Sequence, residues 1–169
     1  MIDLHTHTLN SDGELLPAEL WRRAQVMGYR YLGITDHVDA SNFEAVFAVL
    51  RAAARSLNRG EAPILIPGLE FTHLPPALIG PLTAQARALG VPLIVVHGET
   101  LAEPVAPGTN RAALEVGASL ILDTDAHAPG DLISRQQAER LARGAGLTET
   151  AVRNLFADAQ DLAQRLAAE

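Results

Sequence analysis

The sequence predicts an α/β fold with a parallel sheet or barrel, and three observations predict it. Five short β-type runs alternate with helical patterns along the 169 residues, as strands joined by crossover helices do. All six histidines fall at or just past the end of an apolar run, beside threonine, glycine or a carboxylate. Strands that deliver one side-chain chemistry to a common region build a site at one mouth of a parallel sheet or barrel.

The elements follow in order. Period, β-branched content and turn signals place strands at residues 1–5, 30–35, 63–67, 91–96 and 118–123. Pro17 opens a helix over residues 18–27 that stops at Gly28, proline first and glycine last. Ser41 or Asn42 caps the periodic stretch from Phe43 to Leu57, which ends near Gly60. Pro75 and Pro76 precede a helix over residues 78–89 that stops at Gly90, and Thr109 or Asn110 caps a short helix to Val116 before Gly117. Ser134 caps residues 135–143, and Thr148 begins a final helix that runs toward Ala168. No repeat or low-complexity linker divides the chain, so residues 1–169 are expected to form a single domain.

Composition narrows the chemistry. Hydrophobic residues make up 48% of the chain and aromatics only 4%, so the core is aliphatic. There is no cysteine, which excludes disulfides, thiolate metal sites and a cysteine nucleophile. All 13 basic residues are arginine. The lack of lysine removes a Walker-type phosphate loop, Schiff-base chemistry and a carbamylated-lysine metal bridge. A net charge of −7 disfavours a long nucleic acid but not a small phosphate ester, especially where divalent ions offset the charge. The first residues lack the basic and apolar regions of a leader, and no segment approaches the ~18 apolar residues of a membrane span. A soluble cytoplasmic protein without membrane contact is expected.

The strand exits carry the candidate ligands. His5 and His7 are two apart on an extended chain, so their side chains share a face and can grip one ion together. Asp125 and His127 repeat that spacing near the other end. Glu70, in an apolar strand exit, is costly to bury unless paired, and a carboxylate with two oxygens can bridge two cations. Asp3 reads as inner support rather than a ligand, and Glu99 and Glu103 as ordinary loop carboxylates. Arg111 either clamps a phosphate bidentately or lies on the surface.

These motifs resemble the PHP (polymerase and histidinol phosphatase) superfamily of metal-dependent phosphoesterases. The matching stretches are Asp3-Leu4-His5-Thr6-His7 with Ser11-Asp12-Gly13, Ile34-Thr35-Asp36-His37, Gly68-Leu69-Glu70, Val96-His97-Gly98-Glu99 and Asp123-Thr124-Asp125-Ala126-His127. The resemblance implies a distorted (β/α) barrel with two or three divalent ions, Zn, Mn or Fe, at the strand ends. It implies that His5, His7, Glu70 and Asp125 hold one ion, that Glu70 bridges to a second bound by His97, and that Asp12, His37 and His127 hold a third. Asp36 is expected to accept an imidazole N–H and fix its tautomer, or else to begin a helix cap. His73 has no settled place in the pattern: it contacts substrate, serves as an acid, or stands in for a missing ligand.

The chain also departs from the pattern. Members with this arrangement carry a further strand ending in His-Pro-Gly, and another strand and helix, before the Asp-x-His motif. Here Leu114-Glu115-Val116-Gly117 runs directly into Ala118-Ser119-Leu120-Ile121-Leu122-Asp123. The expected architecture is therefore a shortened barrel of about five parallel strands. Five strands do not close such a barrel, so a homodimer or swapped homo-oligomer is expected to cover the open edges, and a monomer by light scattering would count against it.

The expected activity is hydrolysis of a small phosphate ester, with histidinol phosphate as the family's example. Water activated beside two cations attacks phosphorus in line, and an ion or His73 assists the leaving alkoxide. Two rivals stand beside it. One is an amidohydrolase-type hydrolase, disfavoured by the missing lysine; the other is a metal-binding or scaffolding module without turnover.

Overall fold

A computed structural model of the protein describes residues 1–98, 105–118, 123–144 and 146–168. The strands are β1 (Ile2–Asp3), β2 (Tyr31–Ile34), β3 (His37–Val38), β4 (Ile64–Phe71) and β5 (Leu93–Val96). The helices among the described residues are α1 (Pro17–Val26), α2 (Phe43–Leu57), α3 (Pro76–Ala88), α4 (Thr109–Glu115), α5 (Arg135–Gly144) and α6 (Glu149–Leu166). Every strand pair among the described residues is parallel.

β2 pairs with the first half of β4 and β3 with its end, in the same register, so the two short strands form one line interrupted at Thr35 and Asp36. β5 pairs with β4. On the far side of β1, Thr6 bridges in parallel to Ala126, so the 123–127 segment lies along that edge. The order is thus 123–127, β1, β2 with β3, β4, β5. Most of the strand expected at residues 118–123 lies outside the described residues. β3 was not expected, because two residues carry no period.

Register decides which side chains share a face. Gly33 pairs with Ile66, Gly68 with Leu93, and Glu70 with both His37 and Val95. Partners on a parallel sheet point the same way, so this face is apolar low on the strands and polar at their C-terminal ends. The opposite face, with Leu32, Ile34, Leu65 and Leu69, packs on Leu20 and Ala24 of α1, Phe47 and Leu50 of α2, and Ile79 and Leu82 of α3. The first face, with Leu4, Tyr31, Ile66 and Leu93, packs on Leu162, Ala163 and Leu166 of α6. The final helix therefore covers the apolar surface that a closed barrel would turn inward. Among the described residues β5 has no strand beyond it.

Two glycines let the strands approach. A Cβ at Gly33 would lie 2.6 Å from the Leu4 carbonyl oxygen, and one at Gly68 would lie 2.7 Å from Thr35 Cγ2. Helix ends follow local chemistry as well. Thr148 Oγ1 accepts from Ala151 N at 3.2 Å to cap α6, and Ser134 and Gln137 satisfy each other's backbone N–H groups at the start of α5. Asn42 precedes α2 without a side-chain cap bond, its Oδ1 accepting from Asp39 N instead. Gly108, not Thr109 or Asn110, sits at the α4 cap position. No helix among the described residues is long and apolar enough to cross a membrane.

Candidate metal centre

The two ends of the domain are stitched together beneath the site. His7 N donates to Ala126 O at 2.8 Å, and Glu14 N to His127 O at 2.7 Å. Asp3, fully buried, accepts from Thr124 Oγ1 at 2.6 Å, Thr124 N at 3.3 Å and His5 N at 3.3 Å. It is a backbone clamp, as expected of inner support. Burial raises its carboxyl to about 6 against the lowering hydrogen bond from Thr124.

Glu70 is the hub. It is fully buried, and its oxygens lie 3.4 Å from His5 Nε2, 3.5 Å from His7 Nε2, 2.7 Å from His37 Nδ1 and 3.1 Å from His97 Nδ1. Burial would raise this carboxyl, but His37 and His5 hold it far below the usual carboxylate range. Burial opposes charge on His5 too, yet Asp123 and Glu70 hold its imidazole up to about 10. Burial pulls His7 down from its ordinary value, with Asp125 opposing. One ionised carboxylate faces four imidazoles, of which His5 is pushed up and His7 down, an arrangement that shared cations would resolve.

A second group lies alongside. Asp12 Oδ1 is 3.3 Å from both His37 Nε2 and His127 Nε2. The His7 ring stacks between those of His37 and His127, with centroids at 4.3 and 4.2 Å. His127 Nδ1 donates to the Asp125 carbonyl at 2.7 Å, and His37 Nδ1 meets Thr72 Oγ1, so each ring turns Nε2 toward Asp12. Asp125 has φ of 51°, a left-handed conformation that costs energy away from glycine and places its carboxylate 2.9 Å from His7 Nε2.

The donor set fits divalent cations. Two donors each about 2.1 Å from one ion lie about 3.0–3.4 Å apart. His5 Nε2 to Asp125 is 3.3 Å, His5 Nε2 to Glu70 3.4 Å, and Asp12 to both of its imidazoles 3.3 Å. The donors of His5, His7 and Asp125, and those of His7, Asp12, His37 and His127, all lie within 4.8 Å of one another in their groups. His5 Nε2, which faces Glu70 and Asp125, is buried without a hydrogen-bond partner, as an atom reserved for a ligand would be. Nitrogen and oxygen donors of this kind suit Zn, Mn and Fe alike.

Three expectations need correction or addition. Among the described residues Asp36 meets hydroxyl, amide and backbone donors instead of an imidazole. Its carboxylate accepts from Thr8 N at 2.6 Å, Thr8 Oγ1 at 2.7 Å, Ser11 Oγ at 2.8 Å and Asn10 Nδ2 at 3.4 Å. It holds the turn that carries Asp12, because the interruption between β2 and β3 aims it at the neighbouring loop. Arg111 takes the surface alternative: its side chain is 83% exposed and stands 3.9 Å from Glu115, one turn along α4. Asp123, which sequence reading passed over, lies 3.4 Å from His5 Nδ1. Its spacing of two from Asp125 was the available signal.

His73 is exposed, in a left-handed conformation with φ of 54°, and its ring stacks on that of His97 with centroids 5.6 Å apart. It thus stands beside His97, which in turn meets Glu70. Glu99 and Glu103 lie outside the described residues.

No family model matches the chain. It is 34% identical to the uncharacterized protein MJ1295 of Methanocaldococcus jannaschii, over 90% of this chain and 93% of that protein. That alignment spans 202 positions, more than the 169 residues of this chain, so the relative carries residues within it that this chain lacks. The 5'-3' exoribonuclease Rnm of Escherichia coli is 32% identical over 148 residues, which are 86% of this chain but 44% of that enzyme. The chain thus spans less than half of the exoribonuclease.

Proposed function

The chain belongs to the same family as the Methanocaldococcus jannaschii protein, and from its own motifs and the clustered imidazoles and carboxylates we propose that it is a metal-dependent phosphoesterase of the PHP type, built on a shortened (β/α) barrel. The observation that carries the reading is Glu70, buried and ringed by the imidazoles of His5, His7, His37 and His97 at 2.7–3.5 Å. Similarity to an exoribonuclease, which acts on phosphate esters, agrees with it.

His5, His7, Glu70 and Asp125 would hold one ion, Asp12, His37 and His127 another, and Glu70 with His97 a third. Such ions supply Lewis acidity toward a phosphoryl group and bring the pKa of water from about 15.7 toward neutrality. The chain's own groups set the geometry. Thr72 and the Asp125 carbonyl turn the rings of His37 and His127, and Asp36 fixes the loop of Asp12. His73, exposed and stacked on His97, would meet the leaving group of a substrate whose phosphate enters the cluster. The substrate is a small phosphate ester, with histidinol phosphate as the example the resemblance suggests.

A scaffold without turnover is the second reading, favoured by the residues the relative has and this chain lacks. The test is hydrolysis of p-nitrophenyl phosphate and of a 5'-phosphorylated oligoribonucleotide by the purified protein with Mn²⁺ or Zn²⁺, beside His7→Ala and beside small amides and lactones. Phosphate release lost in His7→Ala is the expected result, and preference between the two phosphate esters separates monoester from phosphodiester chemistry. Hydrolysis of amides alone would favour the amidohydrolase. Intact metal binding, abolished by His7→Ala, with no hydrolysis above buffer would establish the scaffold.

A further inference from the structure

Each imidazole of a metal site needs its second nitrogen held, so that the first faces the ion. Thr72 and the Glu70 carboxylate face that nitrogen of His37, and the Asp125 carbonyl faces that of His127. Asp36, the acidic residue expected in such a role, is occupied with Thr8, Asn10 and Ser11. His5 is the imidazole whose far side meets a carboxylate outside the candidate ligand groups.

We propose that Asp123 is a positioning residue: it takes the Nδ1–H of His5 and so turns Nε2 toward Glu70 and Asp125, where the first ion would bind. The inference rests on the metal reading of the cluster. Asp123 Oδ1 lies 3.4 Å from His5 Nδ1, while His5 Nε2 lies 3.4 Å from Glu70 and 3.3 Å from Asp125. The ring is thus bracketed, with one carboxylate on one nitrogen and two on the other. His5 Nε2 is buried without a hydrogen-bond partner, and the Asp123 side chain is only 18% exposed.

The backbone keeps this pair in place. Asp3 binds both nitrogen and hydroxyl of Thr124, the residue after Asp123, and also receives His5 N. One buried carboxylate therefore fixes the strand exit that carries Asp123 to the strand that carries His5. Asp123 belongs to neither group of donors close enough to share an ion. Its place at Nδ1 puts the whole ring between it and the site that Nε2 faces.

The test is titration of the metal-stripped full chain with Zn²⁺ or Mn²⁺ by calorimetry, with bound metal counted after dialysis, for wild type, Asp123→Ala, Asp123→Asn and His5→Ala. Asp123→Ala should weaken the site lost in His5→Ala by about 10–100-fold and leave the Asp12–His37–His127 site unchanged. Asp123→Asn, which keeps an acceptor oxygen and the side-chain volume, should recover most of the affinity and guards against a variant that misfolds. A merely structural role would weaken both sites together and deny rescue by asparagine; that result, or unchanged affinity in Asp123→Ala, overturns the proposal. Wild type that takes up no metal would overturn the metal reading as a whole, whereas metal-binding wild type with an unaffected Asp123→Ala sinks this inference alone.

Discussion

Replacing Asp36 tests how the loop that bears Asp12 is held. Asp36 and Thr8 are both fully buried, and the Asp36 carboxylate accepts from Thr8 N, Thr8 Oγ1 and Ser11 Oγ at 2.6–2.8 Å. Hydrogen bonds to a charged group are worth about 1.5–3 kcal/mol each but do not simply add, and a stranded buried donor costs about 1–3 kcal/mol. Asp36→Ala strands the Thr8 N–H and two hydroxyls, so a loss of about 3–5 kcal/mol is expected. Asp36→Asn keeps an oxygen for Thr8 N and Ser11 Oγ but sets its amide against Thr8 Oγ1, which already accepts from Asn10 N at 3.3 Å and Asn10 Nδ2 at 2.9 Å. A loss of about 1–2 kcal/mol is expected there. Urea unfolding followed by circular dichroism measures both, with the slope checked to be constant. Metal titration should show the Asp12–His37–His127 group weakened more than the His5–His7–Asp125 group. A loss below about 1 kcal/mol in Asp36→Ala, or equal weakening of the two groups, would refute the reasoning.

Asp3 gives a pH signature of opposite sign to an ordinary paired carboxylate. Burial raises it to about 6 from 3.8, so between those values the folded chain binds more protons than the unfolded one and stability falls as pH rises. The metal-free wild type should lose up to about 3 kcal/mol relative to Asp3→Asn between pH 4 and pH 7, as read from urea midpoints; parallel profiles would contradict it. Gly33→Ala places a methyl 2.6 Å from the Leu4 carbonyl oxygen, a backbone atom that cannot swing aside. It should cost about 1–3 kcal/mol in thermal or urea unfolding and displace the segment after β1 that carries His5 and His7. Gly144→Ala, with nothing within 4 Å of the new methyl, is the control and should be close to neutral or slightly stabilising.

Much of the site was legible because it is a local pattern repeated. Every candidate ligand except Asp12 stands where an apolar run ends, and period-two geometry then sends alternate residues to one face. His37 and Glu70 meet because they are register partners on parallel strands, a consequence of pairing that the sequence implied but did not state. Asp36 and Arg111 show where that reading stops. An aspartate beside a histidine and an arginine beside a helix cap are each compatible with several partners, and only the approach of the Thr8 loop, or the presence of Glu115 one turn along, selects among them.

By itself the sequence determined the alternation of strands and helices, the exclusion of thiolate and lysine chemistry, and the set of imidazoles and carboxylates at strand exits. These follow from residue type and short-range period, which a chain carries wherever it folds. Tertiary structure alone decided that α6 covers the apolar face a barrel would close upon, that Asp36 braces a loop, and that Asp123 stands behind His5. Those outcomes are contacts between segments up to about 160 residues apart, fixed by how whole faces pack and not by any local signal.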